Sequence, residues 1–148
     1  MLTKNEEGTQ NFAKELWQQY EKYYGLKSII FALQGEMGAG KTQFTKGLAK
    51  AMGIEELVTS PTFAIENEYE DHKNKLYHFD AWRLEDSKEF ESLGFPLLIK
   101  NKSVISIEWA DRVADVIREF DDEAIVIWVN IKFCKDESQR IINWGVTK

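Results

Sequence analysis

The sequence has 148 residues, 43% of them hydrophobic and 30% charged, as in ordinary soluble domains, and with no repeat or linker we expect one domain over residues 1–148. The formal net charge of −6 disfavours direct binding to nucleic acid, which normally requires a basic face. The single cysteine excludes an internal disulfide, and without a membrane-spanning apolar run or a signal-peptide core we expect a cytoplasmic protein away from membranes.

The first predicted elements are a helix and a buried strand. Thr9 is a candidate N-cap for the helix, and Gly25 would end it. Its apolar face would consist of Phe12, Ala13, Leu16, Trp17, Tyr20 and Tyr24. The apolar run SIIFAL, residues 28–33, then predicts a short buried strand.

The next segment, GEMGAGKT, fits G-x-x-x-x-G-K-[ST], the phosphate-binding loop of nucleotide-binding proteins. Glycines let backbone N–H groups approach an anion, and a helix beginning at Lys41 would direct its positive dipole end at the same anion. Lys41 is expected to reach the terminal phosphates, and the Thr42 hydroxyl to hold Mg²⁺. The alternative is a glycine-rich turn that binds no ligand. The predicted nucleotide contacts are Glu36, Met37, Gly38, Ala39, Gly40, Lys41, Thr42 and Gln43.

The rest of the chain alternates between strand and helix patterns. Residues 63–69 and 75–80 form a plausible hairpin, a short helix covers residues 86–93 and stops near Gly94 and Pro96, and residues 103–108 form a second buried strand. A helix over residues 110–120 and strands at 124–131 and 139–144 follow. This order predicts an α/β fold of the P-loop NTPase type, with helices flanking the sheet and an antiparallel hairpin portion. The strand order stays open.

Two of the predicted strands end in a carboxylate, at Asp80 and at Glu108. A phosphate loop needs an acidic residue at the end of a neighbouring strand to complete the magnesium shell. We assign Glu108 to that shell and Asp80 to the metal or the attacking water, with the exchange of the two roles left open. The alternative is that each carboxylate simply ends a strand and begins a polar loop.

Three further features lie beside these carboxylates. Arg83 and Arg112 each follow a tryptophan, and either arginine could offset charge on a transferring phosphoryl group or pack its stem on an indole. His78, inside a predicted strand, is interpreted as a hydrogen-bonded structural residue. The segment VTSPTF, residues 58–63, suits either a loop that senses the terminal phosphate or an ordinary turn.

Four segments in this order, GEMGAGKT, TSPTF, YHFDAWRL and ISIEWADR, resemble the TsaE family, also called YjeE. These proteins are the small ATPases of bacterial tRNA threonylcarbamoyladenosine (t6A) synthesis. The resemblance runs from about Thr9 to about Lys132. It implies binding and hydrolysis of Mg·ATP, coupled to a multi-subunit enzyme that modifies an adenosine next to the anticodon. TsaD and TsaB would be the partners, and tRNA would be contacted only indirectly.

The resemblance also assigns roles by position. Lys41 and Thr42 become the phosphate-loop pair, Glu108 the magnesium ligand and Asp80 a catalytic carboxylate. Thr9 and Lys132 fall where family members flank the nucleotide base. The chain departs from the family at residues 81–82, where Ala-Trp replaces the more usual bulky aliphatic residue and tyrosine.

Two other functions compete with this interpretation. A small-molecule kinase would need an acceptor pocket and a mobile, often arginine-rich lid, whereas the arginines of this chain are scattered. A GTP switch would need N-K-x-D, but NKSV ends in Val104 instead of aspartate.

Overall fold

A computed structural model describes residues 1–36, 38–59, 66–71 and 73–147. Met37, a predicted nucleotide contact, lies outside the described residues. The same holds for residues 60–63 of the VTSPTF segment and for residues 63–65 of the predicted hairpin.

The described residues form a sheet of seven strands. The strands are β1 (Leu2–Thr3), β2 (Ser28–Gln34), β3 (Glu66–Glu70), β4 (Lys75–Asp80), β5 (Val104–Glu108), β6 (Ala124–Phe133) and β7 (Arg140–Thr147). Their order is β1-β7-β6-β2-β5-β4-β3, in which β6, β2, β5 and β4 run parallel. β3 is antiparallel to β4, and β7 is antiparallel to both β6 and β1. The predicted antiparallel hairpin portion of an α/β sheet is therefore confirmed.

Helices cover both faces of this sheet. They are α1 (Glu6–Tyr20), α2 (Lys41–Ala51), α3 (Ser87–Ser92), α4 (Phe95–Lys100) and α5 (Ala114–Arg118), with 3₁₀ helices at Glu21–Tyr23 and Ala110–Val113. α1 and α2 share one apolar core with the sheet, and α3, α4 and α5 share the other. Strand β2 supplies both cores because alternate side chains point to opposite faces, with Phe31 in the first core and Ile30 in the second. This explains why residues 29–33 of this strand are all apolar.

The structure corrects the prediction for the start of α1. The N-cap is Asn5, whose Oδ1 accepts a hydrogen bond from the Gly8 N–H at 2.8 Å, and Thr9 lies one turn inside the helix. Thr9 is buried, and its hydroxyl lies 3.1 Å from that of Thr3. The α-helix ends at Tyr20, ahead of the predicted stop at Gly25, and continues as a 3₁₀ turn.

Other predicted boundaries also change. The short helix predicted over residues 86–93 is confirmed as α3, which ends just before Gly94. What was not predicted is α4, in which Pro96 occupies the first turn, where the missing N–H of proline has no helical acceptor to lose. The helix expected over residues 110–120 is divided into the 3₁₀ helix Ala110–Val113 and the short α5. Strand β1 had no recognisable pattern, since it contains only two residues.

The contact between α1 and α2 depends on Gly47. A Cβ atom at this position would lie 2.5 Å from the Gln10 Cα and closer still to the Gln10 carbonyl oxygen. Both are backbone atoms, so the two helices could accept a methyl group only by moving apart.

We therefore expect Gly47→Ala to lower the free energy of unfolding by about 1–3 kcal/mol, the usual cost of overpacking a core. The matched control is Gly145→Ala, because a Cβ at Gly145 meets nothing within 4 Å. Urea unfolding of both variants measures the difference. Equal stability of the two variants would contradict the close packing of α1 on α2.

Candidate nucleotide site

The loop between β2 and α2 is shaped by two glycines. Gly40 is the N-cap of α2 at φ 115°, a left-handed conformation that residues with a Cβ rarely adopt. Gly35 has φ 151°, and a Cβ there would collide with the Ile131 carbonyl oxygen on β6. The loop therefore lies directly against the end of the neighbouring strand, at the edge where the parallel strands end.

Lys41 is buried at the first position of α2. Its Nζ donates hydrogen bonds to the carbonyl oxygens of Gly35 at 2.7 Å and Glu36 at 3.0 Å. The ammonium group also lies 4.2 Å from the ring centroid of Trp109. Burial lowers the pKa of Lys41, while nearby carboxylates oppose that shift. The Lys41 side chain is thus folded back on the phosphate-binding loop itself. We expect the same ammonium group to bind the phosphates of the nucleotide.

Glu108 and Thr42 meet at the same edge. The Thr42 hydroxyl is 3.0 Å from Glu108 Oε2 and 3.2 Å from Oε1, so it donates to the carboxylate. Glu108 is buried at the end of β5, where the register places it opposite Leu33 of β2. The two predicted magnesium ligands, which come from different elements, are therefore in direct contact.

Asp80 ends β4 directly opposite Glu108 in the register of the parallel strands. Its Oδ1 accepts a hydrogen bond from the Trp82 N–H at 2.9 Å. Burial raises the pKa of Asp80, and the nearby charge of Glu108 acts in the same direction against the Trp82 hydrogen bond. The structure thus brings both predicted carboxylates beside Lys41 and Thr42.

His78 also reaches this site. Its ring is fully buried, and Nε2 donates to Glu108 Oε2 at 2.5 Å. The other ring nitrogen lies 3.1 Å from the hydroxyl of Tyr69. His78 is the hydrogen-bonded residue that its place inside a strand predicted, but the identity of Glu108 as its partner was not predicted. The available signal was the period of two along a strand, which places His78 and Asp80 on the same face of β4.

The indoles of Trp82 and Trp109 pack on each other beside Lys41. Trp109, directly after Glu108, has the left-handed φ of 58°, and its ring lies 4.4 Å from that of Trp82. Arg112 lies 5.7 Å from the Trp82 ring and donates through Nη2 to the Leu84 carbonyl oxygen at 2.9 Å. Trp82 is 42% exposed. Of the two roles considered for Arg112, the structure shows packing on an indole.

Arg140 supports the loop from β7 and was missed by sequence reasoning. Its Nε donates to the Ala39 carbonyl oxygen at 2.9 Å, and Nη2 lies 3.4 Å from that of Gly38. The guanidinium also lies 4.2 Å from the Phe133 ring. Arg140 is separated from the loop by about a hundred residues, so no local pattern could have indicated this contact.

Thr9 and Lys132 line different cavities. Thr9 borders a cavity of about 290 Å³ together with Gly38, Gly40 and Gln43 of the loop region. Lys132 borders a cavity of about 630 Å³ that also contains Glu36 and Trp109. Both cavities adjoin the phosphate loop, and the role of Thr9 and Lys132 beside the nucleotide base stays a prediction.

Comparison with known proteins identifies the group to which this arrangement belongs. The sequence profile described as "Threonylcarbamoyl adenosine biosynthesis protein TsaE" matches residues 3–142. This chain belongs to the TsaE family. The resemblance inferred from the four motifs is thereby confirmed.

Individual TsaE proteins show the same relation. The TsaE of Haemophilus influenzae is 34% identical, over 84% of this chain and 76% of that protein. The TsaE of Aquifex aeolicus is 35% identical, over 82% and 85%. The match to TsaE of Bacillus subtilis is 44% identical but covers 58% of this chain and about half of that relative, 53%. These relatives carry the name tRNA threonylcarbamoyladenosine biosynthesis protein.

A solved structure of similar fold is that of YdiB from Bacillus subtilis, with a TM-score of 0.70 and 29% identity. The match covers 99% of this chain and 84% of YdiB. Together with the strand–loop–helix geometry, this confirms a P-loop fold for the TsaE chain. No helix within the described ranges has the length and apolar character to cross a membrane.

The buried lysine generates the first prediction for this site. Lys41→Ala should weaken ATP binding by at least about 10-fold, because a charge-assisted phosphate contact contributes roughly 1.5–3 kcal/mol. Calorimetric titration with ATP measures the loss. Lys46→Ala, which removes a positive charge from the same helix, is the control and should bind ATP normally. Unchanged affinity in the Lys41 variant would contradict the phosphate-loop interpretation.

The raised pKa of Asp80 generates a second prediction. The fold disfavours the charged carboxylate, so the stability contributed by this group is present at low pH and is lost as the pH rises through its folded-state pKa. Asp80→Asn keeps an oxygen for the Trp82 N–H and carries no charge. The difference between the thermal midpoint of this variant and that of wild type should therefore be more positive at about pH 8 than at about pH 4. A stability difference that does not change with pH would contradict this electrostatic cost.

Proposed function

We propose that this chain binds and hydrolyses Mg·ATP and thereby supports t6A modification of tRNA together with TsaD and TsaB homologues. The observation that carries the proposal is the meeting of Lys41, Thr42 and Glu108 beside a G-x-x-x-x-G-K-T loop. Family membership supports the t6A pathway. The loop N–H groups and the start of α2 supply positive potential for the phosphates of the nucleotide.

Lys41 is proposed to be the cation that contacts the terminal phosphates. In the structure its ammonium group is held by two loop carbonyl oxygens and the Trp109 ring. Burial lowers its pKa, but the carboxylates of Glu108, Asp80 and Asp111 favour the charged form. A phosphate group would supply the strong anionic partner that this ammonium lacks when it binds neutral carbonyl oxygens.

Thr42 and Glu108 have the chemistry and the spacing to hold Mg²⁺. A hydroxyl and a carboxylate are oxygen ligands of the type that Mg²⁺ prefers. The Thr42 hydroxyl and Glu108 Oε2 are close enough to hydrogen-bond, at 3.0 Å, so one ion could contact both. Since Mg²⁺ usually keeps several waters and binds one or two carboxylates with substrate phosphates, these two protein ligands suffice. When bound between them, the ion would neutralise the charge that develops on the phosphate oxygens during hydrolysis.

Asp80 is proposed to orient the water that attacks the terminal phosphate. It lies opposite Glu108, and its Oδ1 is fixed by the Trp82 N–H. Its raised pKa makes the carboxylate a stronger base than an ordinary aspartate. The residue thus combines a defined position with increased basicity.

The arginines near the loop explain why we expect slow turnover by the chain alone. Arg112 is held by Trp82 and the Leu84 carbonyl oxygen, and Arg140 is held by the loop carbonyl oxygens. These contacts do not direct either guanidinium group toward the expected position of the terminal phosphate. A partner that supplies an arginine in trans can accelerate such reactions by about 10³–10⁵. The net charge of −6 also favours a partner-mediated contact with tRNA over a direct one.

The test compares ATP hydrolysis by the purified chain alone and with TsaD and TsaB homologues from the same source. We expect slow turnover alone and a change in rate or nucleotide affinity on complex formation. Because coupling between binding sites is reciprocal, ATP should also change the affinity for the partners. Fast solitary turnover that the subunits do not affect, with no complex formed, would contradict the proposal. Phosphate transfer to a nucleoside or sugar would indicate a kinase instead.

A further inference from the structure

A line of hydrogen bonds leads away from Glu108 through the interior of the protein. His78 Nε2 donates to Glu108 Oε2 at 2.5 Å, and His78 Nδ1 lies 3.1 Å from the Tyr69 hydroxyl. That hydroxyl is also 2.9 Å from the Thr59 carbonyl oxygen, and it accepts a hydrogen bond from the Asn67 side chain at 3.2 Å. Both rings are buried, with 0% of His78 and 4% of Tyr69 exposed.

The contacts on both ring nitrogens restrict the imidazole of His78. With Tyr69 on one side and Glu108 on the other, a rotation of the ring would break two hydrogen bonds inside the protein. Leaving buried polar groups unpaired is destabilising. His78 Nε2 is therefore a fixed donor, and it determines where one oxygen of the Glu108 carboxylate lies.

Thr42 alone would not determine that position. Its hydroxyl is almost equally far from the two carboxylate oxygens, at 3.0 and 3.2 Å, so it does not distinguish them. His78 contacts Oε2 only, which removes the freedom of the carboxylate to turn about its terminal bond. Carboxylates that bind metal ions are commonly held by such outer hydrogen bonds, and loss of the outer partner weakens metal binding.

We propose that His78, held by Tyr69, is a positioning residue that orients the Glu108 carboxylate for the magnesium ion of the bound nucleotide. This inference rests on the proposed function, because it assigns His78 a task in the same site. His78 does not touch the nucleotide. It acts through Glu108, and its own orientation depends on a hydroxyl on the neighbouring strand β3.

Two substitutions of His78 distinguish the contact of Nε2 with Glu108 from the contact of Nδ1 with Tyr69. His78→Gln places an amide donor near the position of Nε2 and can still reach Glu108. His78→Asn places its amide near the position of Nδ1 and can reach only the Tyr69 side. Both variants replace the ring by a smaller amide, so both should lose similar stability. The matched control is Ser106→Ala, which removes a buried hydroxyl on β5 that contacts Thr45 at 2.8 Å.

The measurement is the ratio of ATP affinities with and without Mg²⁺, obtained by calorimetry for each folded variant. We expect His78→Asn to reduce the gain in ATP affinity caused by Mg²⁺ by about 10-fold or more. Losses of this size are usual when the hydrogen-bond partner of a metal-binding carboxylate is removed. His78→Gln should retain most of the gain, and Ser106→Ala should retain all of it. ATP affinity without Mg²⁺ should stay within about 2-fold of wild type, because the loop groups that hold phosphate are unchanged.

The outcomes separate this inference from the proposed function. A wild-type chain without any magnesium-dependent gain would overturn both. A normal gain in wild type that His78→Asn retains, or that both His78 variants lose equally, would overturn only the positioning role.

A spectroscopic measurement applies if either variant fails to fold. The chain has only two histidines, so the ring nitrogen NMR signals of His78 can be assigned by comparison with His72→Gln. Addition of Mg²⁺ to the wild-type chain saturated with ADP should shift the His78 signals, because its acceptor Glu108 then shares its charge with a cation. Signals of His78 that do not move on magnesium binding would overturn the positioning role.

Discussion

Glu108 places a carboxylate at the end of a strand that is buried along its whole length, and most of the site is arranged around the need to satisfy that group. A buried carboxylate without partners would be strongly destabilising, so hydrogen bonds must replace the lost water. Thr42 and His78 supply them, one from α2 and one from β4. The phosphate-loop helix and the neighbouring strand are thus tied to one charged group.

The parallel register explains why these residues meet. Strand β5 lies between β2 and β4, with Glu108 opposite both Leu33 and Asp80. The loop begins one residue beyond the end of β2, so the strand ends and the loop share one edge of the sheet. This edge is the usual ligand-binding side of open α/β sheets. The positions of Lys41 and Asp80 therefore follow from the topology as much as from their own contacts.

The sequence allowed the prediction of those parts of the site that local patterns encode. The loop motif indicated Lys41 and Thr42, and apolar runs ending in a carboxylate indicated Asp80 and Glu108. The partner of His78 could not be predicted in the same way, because it depends on the register between β4 and β5, where His78 is opposite Ser106. The contact between Arg140 and the loop likewise depends on the long-range folding of β7.

Helix boundaries were harder to predict for a related reason. Asparagine and threonine are both good N-caps, and the choice between Asn5 and Thr9 is made by packing, which buries Thr9 beside Thr3. Proline can follow the end of one helix or occupy the first turn of the next. Pro96 lies in the first turn of α4, whose N-cap is the left-handed residue Gly94. The overall alternation of strands and helices was predicted because apolar residues repeat with different periods in strands and in helices.

The backbone of Trp109 has a consequence for how this protein could change during evolution. A tryptophan at φ 58° and ψ 39° adopts a conformation that favours glycine or asparagine, at a cost of order 1 kcal/mol. The same turn brings the indole over the Lys41 ammonium group. The indole also packs on the ring of Trp82 and on the core that contains α3, α4 and α5. Replacement by glycine would relax the backbone but remove these contacts, so the backbone and the side chain impose opposite preferences on one residue.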